Sequence, residues 1–418
     1  MTTRMTTSPG IAANRVAQNR TLARARRVTT QLFGSPGERS FAIQYWNALV
    51  EPGSAQRFTL VLRSPGALRR MCTPPSELAL GEAFLRGDFE VEGDLESAVA
   101  AGDTIAERLA SLAAIVRVTR TAALLPRDDA PAVDGRLPDR HGPRHSRARD
   151  TAAVRAHYDV GNDFYALWLD ESMTYSCAYF ASEEEALETA QEHKLDLICR
   201  KLHLLPGERF LDIGCGWGSL VRRASSCYGA DAYGITLSEQ QAEWSHDPHI
   251  TVSDYREPQR AAPFDKIATV GMIEHVGEAN LGTFFRRIRE LLKPGGLALI
   301  HGITAEPIPA RERRLWRRGR FIDRYIFPDG ELTSLSTRIA AVEAAGFEVL
   351  HVETLREHYT TTLRHWVRRL ERARAFAETL VGNTTYRAWR LYLAGSAHAF
   401  ATGRLSVSQL LCRRTSPN

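Results

Sequence analysis

From Asp150 onward, short apolar runs alternate with longer stretches in which apolar residues recur every three or four positions. The run closing on LDIG, then DAYGITL, HITVSDY, FDKIATVGMIE and GGLALIHGI, reads as a series of strands, while Ala186 to Leu204 and residues 281 to 292 read as helices. Such alternation predicts βαβ units and a doubly wound parallel sheet. Pro294, Gly295 and Gly296 stop the second helix before the next strand, and residues 361–415 read as amphipathic helices. Upstream, residues 38–125 mix strand-like FAIQYWNALV and RFTLVLRS with a helix at LALGEAFLRGDF and another from Leu95 to Leu125, which predicts a small α+β domain. Between the two, residues 126–150 hold RDDAPAVDGRLPDRHGPRHSRAR, too poor in apolar side chains to order itself, and read as a linker. No internal repeat is present.

Composition adds limits. The 418 residues are 44% hydrophobic and 25% charged, as in soluble globular proteins. No run approaches the roughly 18 apolar residues of a membrane span, and the first residues lack a secretory core, so the expected location is cytoplasmic. Residues 1–37 carry Arg4, Arg15, Arg20, Arg24, Arg26 and Arg27 with no acid before Glu38, and read as a flexible basic arm. The six cysteines form no CxxC pair, which points to reduced thiols and no zinc site; His141 and His145 in HGPRH lack further clustered ligands. A net charge of +5 permits attraction to an anionic membrane or nucleic acid. Only four of the 54 basic residues are lysine (Lys194, Lys201, Lys266 and Lys293), so arginine-rich patches are partly a matter of codon usage. The densest, RERRLWRRGR at 311–320, is either a solvated face or a phospholipid headgroup contact built around Trp316.

The chemistry gathers at strand ends. Gly214, Gly216 and Gly218 follow an apolar strand and open a helix, either an ordinary tight turn or a place where backbone presses against a nucleotide-type cofactor. The next strand ends in GITLSEQQ, offering Thr236 and Gln241 where dinucleotide enzymes place an acid, which argues against NAD. HITVSDY closes on Asp254 and Tyr255, suited to an exocyclic amine and a purine face; Ser253 and Asp254 also suit a plain turn. Glu274 and His275 in GMIEHVG lie just past a strand, and His301 interrupts an otherwise apolar one.

These segments occur in order with HYDVGNDFYALWLDESMTYSCAYF, DYRE and RYIFPDG, and the chain resembles the cyclopropane-fatty-acyl-phospholipid synthases, relatives of the mycolic acid cyclopropane synthases. The resemblance covers residues 151–418, and residues 38–100 resemble the smaller N-terminal domain of longer bacterial members. It implies a Rossmann-like S-adenosylmethionine methyltransferase domain that adds a methylene across a cis double bond of a phospholipid acyl chain, with a bound bicarbonate as base. By motif matching, the bicarbonate ligands are Cys177, Glu274, His301, the Ile303 amide and Tyr359. The cofactor residues are Tyr175, Ser176, Gly214, Gly216, Thr236, Gln241, Asp254 and Tyr255. His157, Tyr158, Phe180 and Trp217 either face the sulfonium or belong to the core. No metal is implied. The expected partners are a phospholipid bilayer, approached peripherally from its inner face, and a second copy of the chain; nucleic acid is not expected, since neither an (N/D)PP(Y/F/W)-like nor a catalytic PC signature occurs. Two rivals remain: a relative that leaves a methylene or methyl branch on the acyl chain, against which His275 argues, and a silent lipid-binding module.

Overall fold

Strand-forming alternation in RFTLVL and FEVEG seeds the first of two sheets. The computed structural model describes residues 9–130, 133, 142–257, 263–305 and 319–415, which fall into two compact units dividing near residue 134, with 319–321 belonging to the first. In the first unit, β1 (Ala42–Gln44), β2 (Val50–Glu51), β3 (Phe58–Leu62) and β4 (Phe89–Gly93) form a sheet in the order β2-β1-β3-β4. The helix Glu77–Arg86 starts where the Ser76 hydroxyl accepts from the Ala79 amide at 3.1 Å and stops at Gly87, φ 74°. The single helix expected from Leu95 to Leu125 is instead two, Leu95–Arg108 and Leu112–Ala122, because Ser111 caps the second through the Ala114 amide.

Residues 9–33 correct the expectation of a flexible arm: Pro9–Phe33 is a helix. Ala25, Val28, Thr29 and Leu32 recur at helical spacing and are buried against the two helices that follow the sheet, while the arginines between them face outward or pair, Arg26 with Glu51 among them. Within the span read as a linker, residues 147–150 begin the helix Arg147–Tyr158; residues 131, 132 and 134–141, like most of the arginine-rich 311–320 segment, lie outside the described residues.

The second unit is the doubly wound one. Its seven strands, β5 (Arg209–Ile213), β6 (Asp231–Thr236), β7 (Ile250–Val252), β8 (Phe264–Val270), β9 (Leu292–Ala305), β10 (Phe347–Thr354) and β11 (Leu405–Arg414), take the order β10-β11-β9-β8-β5-β6-β7. β5 to β9 are mutually parallel, and β11 runs antiparallel between β9 and β10. That strand occupies residues expected to be helical. The helices Leu281–Leu291 and Leu335–Ala344 cover one face with Phe284, Phe285, Ile288 and Val342; the helices Leu187–Lys201 and Ser219–Tyr228 cover the other with Ile198, Cys199, Val221 and Ala224. Each of the larger of these side chains contributes about 1.5–3 kcal/mol through burial. Among the described residues no helix is long and apolar enough to cross a membrane.

Candidate active site

In a sheet of this winding, strand order reverses between β5 and β8, and the crevice beyond the carboxyl ends of those strands is where ligands bind. A cleft of about 500 Å³ opens there, lined by Gly214 and Gly216 after β5, Thr236 and Gln241 at β6, Ser253 and Tyr255 after β7, and Gly271, Met272 and His275 after β8. Gly214 has φ 80°, and its amide and that of Cys215 both donate to the Ile235 carbonyl, at 2.9 and 3.0 Å, pinning the turn against β6. The Thr236 hydroxyl donates to Gln241 Oε1 at 2.7 Å, which presets the amide at the cleft wall. Asp254 does not line the cleft: its carboxylate spans the Arg256 guanidinium at 2.8 and 2.6 Å and caps the Arg256 amide at 2.9 Å. Asp254 thus closes a local turn, while Ser253 beside it lines the cleft.

A second cavity of about 450 Å³ adjoins the first, with Tyr158 and Gly271 in both walls. It gathers Tyr175, Ser176, Cys177, Glu274, His301, Ile303 and Tyr359 from four separate segments, together with His157, Phe327, Tyr392 and Val407. Tyr392, on the helix Arg374–Ala401, was not singled out in the sequence; a tyrosine inside a long helix carries no local signal of its destination. The surrounding side chains are largely aromatic. Tyr165 packs on Trp217 with ring centroids 5.0 Å apart, and Tyr175 on Trp366 at 5.2 Å.

Glu274 is the electrostatic centre of this cavity. It is buried, its Oε1 accepts from the Ile303 amide at 2.6 Å, and its Oε2 is buried with no hydrogen-bond partner. Burial raises its carboxyl above the usual range, partly offset by the Arg338 charge. Arg338 is itself fully buried, held by Thr333 Oγ1 at 2.9 Å and by the Ile303 carbonyl. Gly302 makes this crowding feasible, since a Cβ there would meet Arg338 Nη1 at 2.8 Å and Glu274 Oε1 at 3.4 Å. His301 is held neutral by burial, its pKa pushed down to about 3. The Ile303 amide, expected to face a bound anion, is already committed to Glu274.

Cys177 donates to the Ala178 carbonyl at 3.2 Å and to that of Leu355 at 3.6 Å, and burial pushes its thiol far up, so it is no thiolate nucleophile. Cys177→Ser is accordingly expected to retain at least about one-third of the parent turnover, since a hydroxyl keeps a donor of similar size; a loss beyond 100-fold in steady-state methyl transfer would contradict this. All six cysteines are free thiols, and no group of three potential metal ligands occurs among the described residues.

Behind the loop carrying Tyr175 to Cys177, the helix Leu187–Lys201 supplies two braces. Gln191 Nε2 donates to the Thr174 and Ser176 carbonyls at 3.2 and 2.9 Å, and Lys194 Nζ donates to the Ser176 hydroxyl at 2.9 Å. Burial lowers Lys194 to about 8 and raises Asp212 to about 7; one oxygen of Asp212 is buried without a partner. The unfolded chain releases the Asp212 proton near pH 3.9 while the fold retains it to about pH 7, so its burial costs stability progressively as pH rises between those values. Thermal melts of Asp212→Asn should therefore lose less stability from pH 4 to 7 than the parent; parallel curves would refute that.

The family described as mycolic acid cyclopropane synthetase matches residues 145–410. The chain belongs to this family. A probable fatty acid methyltransferase of Pseudomonas putida is 40% identical over 369 residues, 86% of this chain and 88% of that protein. Cyclopropane mycolic acid synthase 1 of Mycobacterium tuberculosis is 36% identical over 278 residues, 63% of this chain and 97% of that one. The solved structure of mycolic acid cyclopropane synthase CmaA1 complexed with SAH and CTAB superposes with a TM-score of 0.59 at 33% identity, covering 66% of this chain and all of the other. Like its family, the protein is an S-adenosylmethionine-dependent methyltransferase.

Proposed function

We propose that the enzyme converts a cis double bond in a phospholipid acyl chain into a cyclopropane ring, with bicarbonate held in the second cavity as base. The observation that carries this reading is Glu274 Oε2: a buried acceptor without a partner, in a cavity of aromatic walls next to the cofactor cleft, calls for a ligand that brings its own O–H. Bicarbonate has one such O–H. Around it, His301 and Tyr359 offer donors and Cys177 closes the wall; the Ile303 amide acts through Glu274, whose orientation it fixes. Gly214, Gly216, Thr236, Gln241 and Tyr255 would hold S-adenosylmethionine in the adjoining cleft, and Tyr175 and Ser176 would hold its reactive end.

Bound S-adenosylmethionine would supply an electrophilic methyl group to the alkene π pair and leave as S-adenosylhomocysteine. The resulting carbocation reacts with any nucleophile, and Tyr158, Tyr175, Phe327 and Tyr392 exclude water from it. One proton would then pass from the new methyl group to the bicarbonate base, and the electron pair of that C–H bond would close the ring. The carboxyl of Glu274 shares a proton with the bound anion, since two like charges in one buried site do not both ionise.

The reading also places the enzyme peripherally at the inner face of a bilayer, as a homodimer. A second reading, methyl or methylene branching of the acyl chain, is favoured by the 40% identity to a probable fatty acid methyltransferase. Methyl-labelled S-adenosylmethionine with vesicles of cis-unsaturated phospholipid separates the two by proton NMR of the recovered chains. Cyclopropyl protons support the first, vinylidene or branch-methyl protons the second, and unlabelled lipid sinks both.

A further inference from the structure

The chain uses lysine only four times against fifty arginines, yet two lysines, Lys194 and Lys201, lie on one face of the helix Leu187–Lys201, two turns apart. Lys194 braces Ser176, as described. Lys201 has no part in either cavity wall. Its Nζ donates to Gln409 Oε1 at 2.7 Å and to the Glu353 carboxylate. Gln409, fully buried on β11, stands opposite His301 in the β9–β11 register, and its Nε2 lies 3.1 Å from His301 Nδ1.

Those contacts leave one arrangement of protons. An ammonium group has donors and no acceptor, so the amide oxygen of Gln409 must face Lys201 and the NH2 must face the imidazole. The NH2 can only donate, so Nδ1 must accept, and the ring proton resides on Nε2. Protonating Nδ1 would set two N–H groups against each other. We infer that Lys201 and Gln409 are positioning residues that lock His301 as the Nε2–H tautomer, so that the cavity receives a hydrogen-bond donor where a lone pair would repel an anion.

The compact ammonium matters here because it bridges two acceptors, one buried and one on the partly exposed Glu353, where a planar guanidinium fork would impose its own geometry. The charges that bear on His301 favour the same neutral form: Lys194 and Lys201 from the helix behind it and Arg338 from the helix beside Glu274 all oppose a further positive charge. Glu274 is the acid that lines the same cavity.

The consequence for anion binding rests on the bicarbonate reading, whereas the tautomer does not, so the two fail separately. In the full-length protein carrying 15N-labelled histidine, with the signal assigned through His301→Gln, Nδ1 should show a pyridine-type shift and Nε2 a pyrrole-type shift. The reverse pattern overturns the inference, whatever the enzyme makes. Lys201→Met frees the amide to turn over, and mixed tautomers with a rate about 10–100-fold lower are expected; Lys201→Arg, which keeps a donor, should recover part of that rate. Gln409→Glu should pull the proton to Nδ1 and add a histidine titration to the pH profile. Unchanged nitrogen shifts, rate and pH profile in folded Lys201→Met would show that the relay does nothing. A normal tautomer in a protein that forms no ring would retain the relay and discard the proposed reaction.

Discussion

On the proposed reading, Glu274→Gln is expected to lower methyl transfer to lipid by about 10²–10⁴-fold, the range that a positioned proton acceptor contributes, while the protein stays folded and still binds S-adenosylhomocysteine. Glutamine keeps the shape and an oxygen for the Ile303 amide, which now sits 2.6 Å from Oε1. What changes is the other atom. The partnerless Oε2 becomes an NH2, a donor turned towards a site that already offers donors from His301 and Tyr359. The pH profile carries the same signature. Because burial raises the Glu274 carboxyl, its ionised form appears only at a higher pH than for an ordinary glutamate, and the parent rate should fall as pH drops through that raised value. In the variant this acidic limb should vanish. Rates measured across pH, with calorimetric titration of S-adenosylhomocysteine as the control, decide the matter; an unchanged rate and profile would remove Glu274 from the chemistry.

The second large effect concerns the cofactor cleft. Gly214→Val should weaken S-adenosylhomocysteine binding by about 10–100-fold, with a smaller loss for Gly214→Ala. At φ 80° a β-branched residue bears a strain of about 1–3 kcal/mol, and each 1.4 kcal/mol is a factor of ten in affinity. A Cβ at this position also meets Met272 Cβ at 3.2 Å, on the lip contributed by β8. The turn can relieve neither strain by moving, because two of its amides are tied to the Ile235 carbonyl. Unchanged affinity in a folded Gly214→Val protein would mean that the cleft does not hold the cofactor.

The parts of this architecture that the sequence made legible are those coded locally. β5, β6, β8 and β9 are apolar runs flanked by helices of opposite periodicity, and glycines mark the turn after β5. β11 is not legible as a strand because residues 407–412 are all buried and the alternation in LSVS breaks down in QLLC; its neighbours β9 and β10 define it. The helix Pro9–Phe33 is masked by its five arginines, which interrupt the narrow apolar stripe they flank. Within the site, motif matching named most of the residues that line the second cavity, but Asp254 turned to Arg256 and the Ile303 amide to Glu274, choices of partner that the motifs do not encode. Tyr392, Arg338 and Gln409 gave no sign at all, since each matters only through what folding brings beside it.

The insertion of β11 between β9 and β10 also bears on the order in which the molecule assembles. The cofactor cleft is closed by β5, β6, β7 and β8, which follow one another along the chain, whereas His301 and Gln409 stand 108 residues apart. Contacts between near neighbours in sequence form faster than distant ones. That difference predicts an early species with a formed cleft and an unfinished second cavity, in which β9 would present an open edge to solvent. Cofactor added during refolding should stabilise that half first, shorten the exposure of the edge and raise the yield of soluble enzyme, so the methyl donor would serve as a folding ligand before it serves as a reactant.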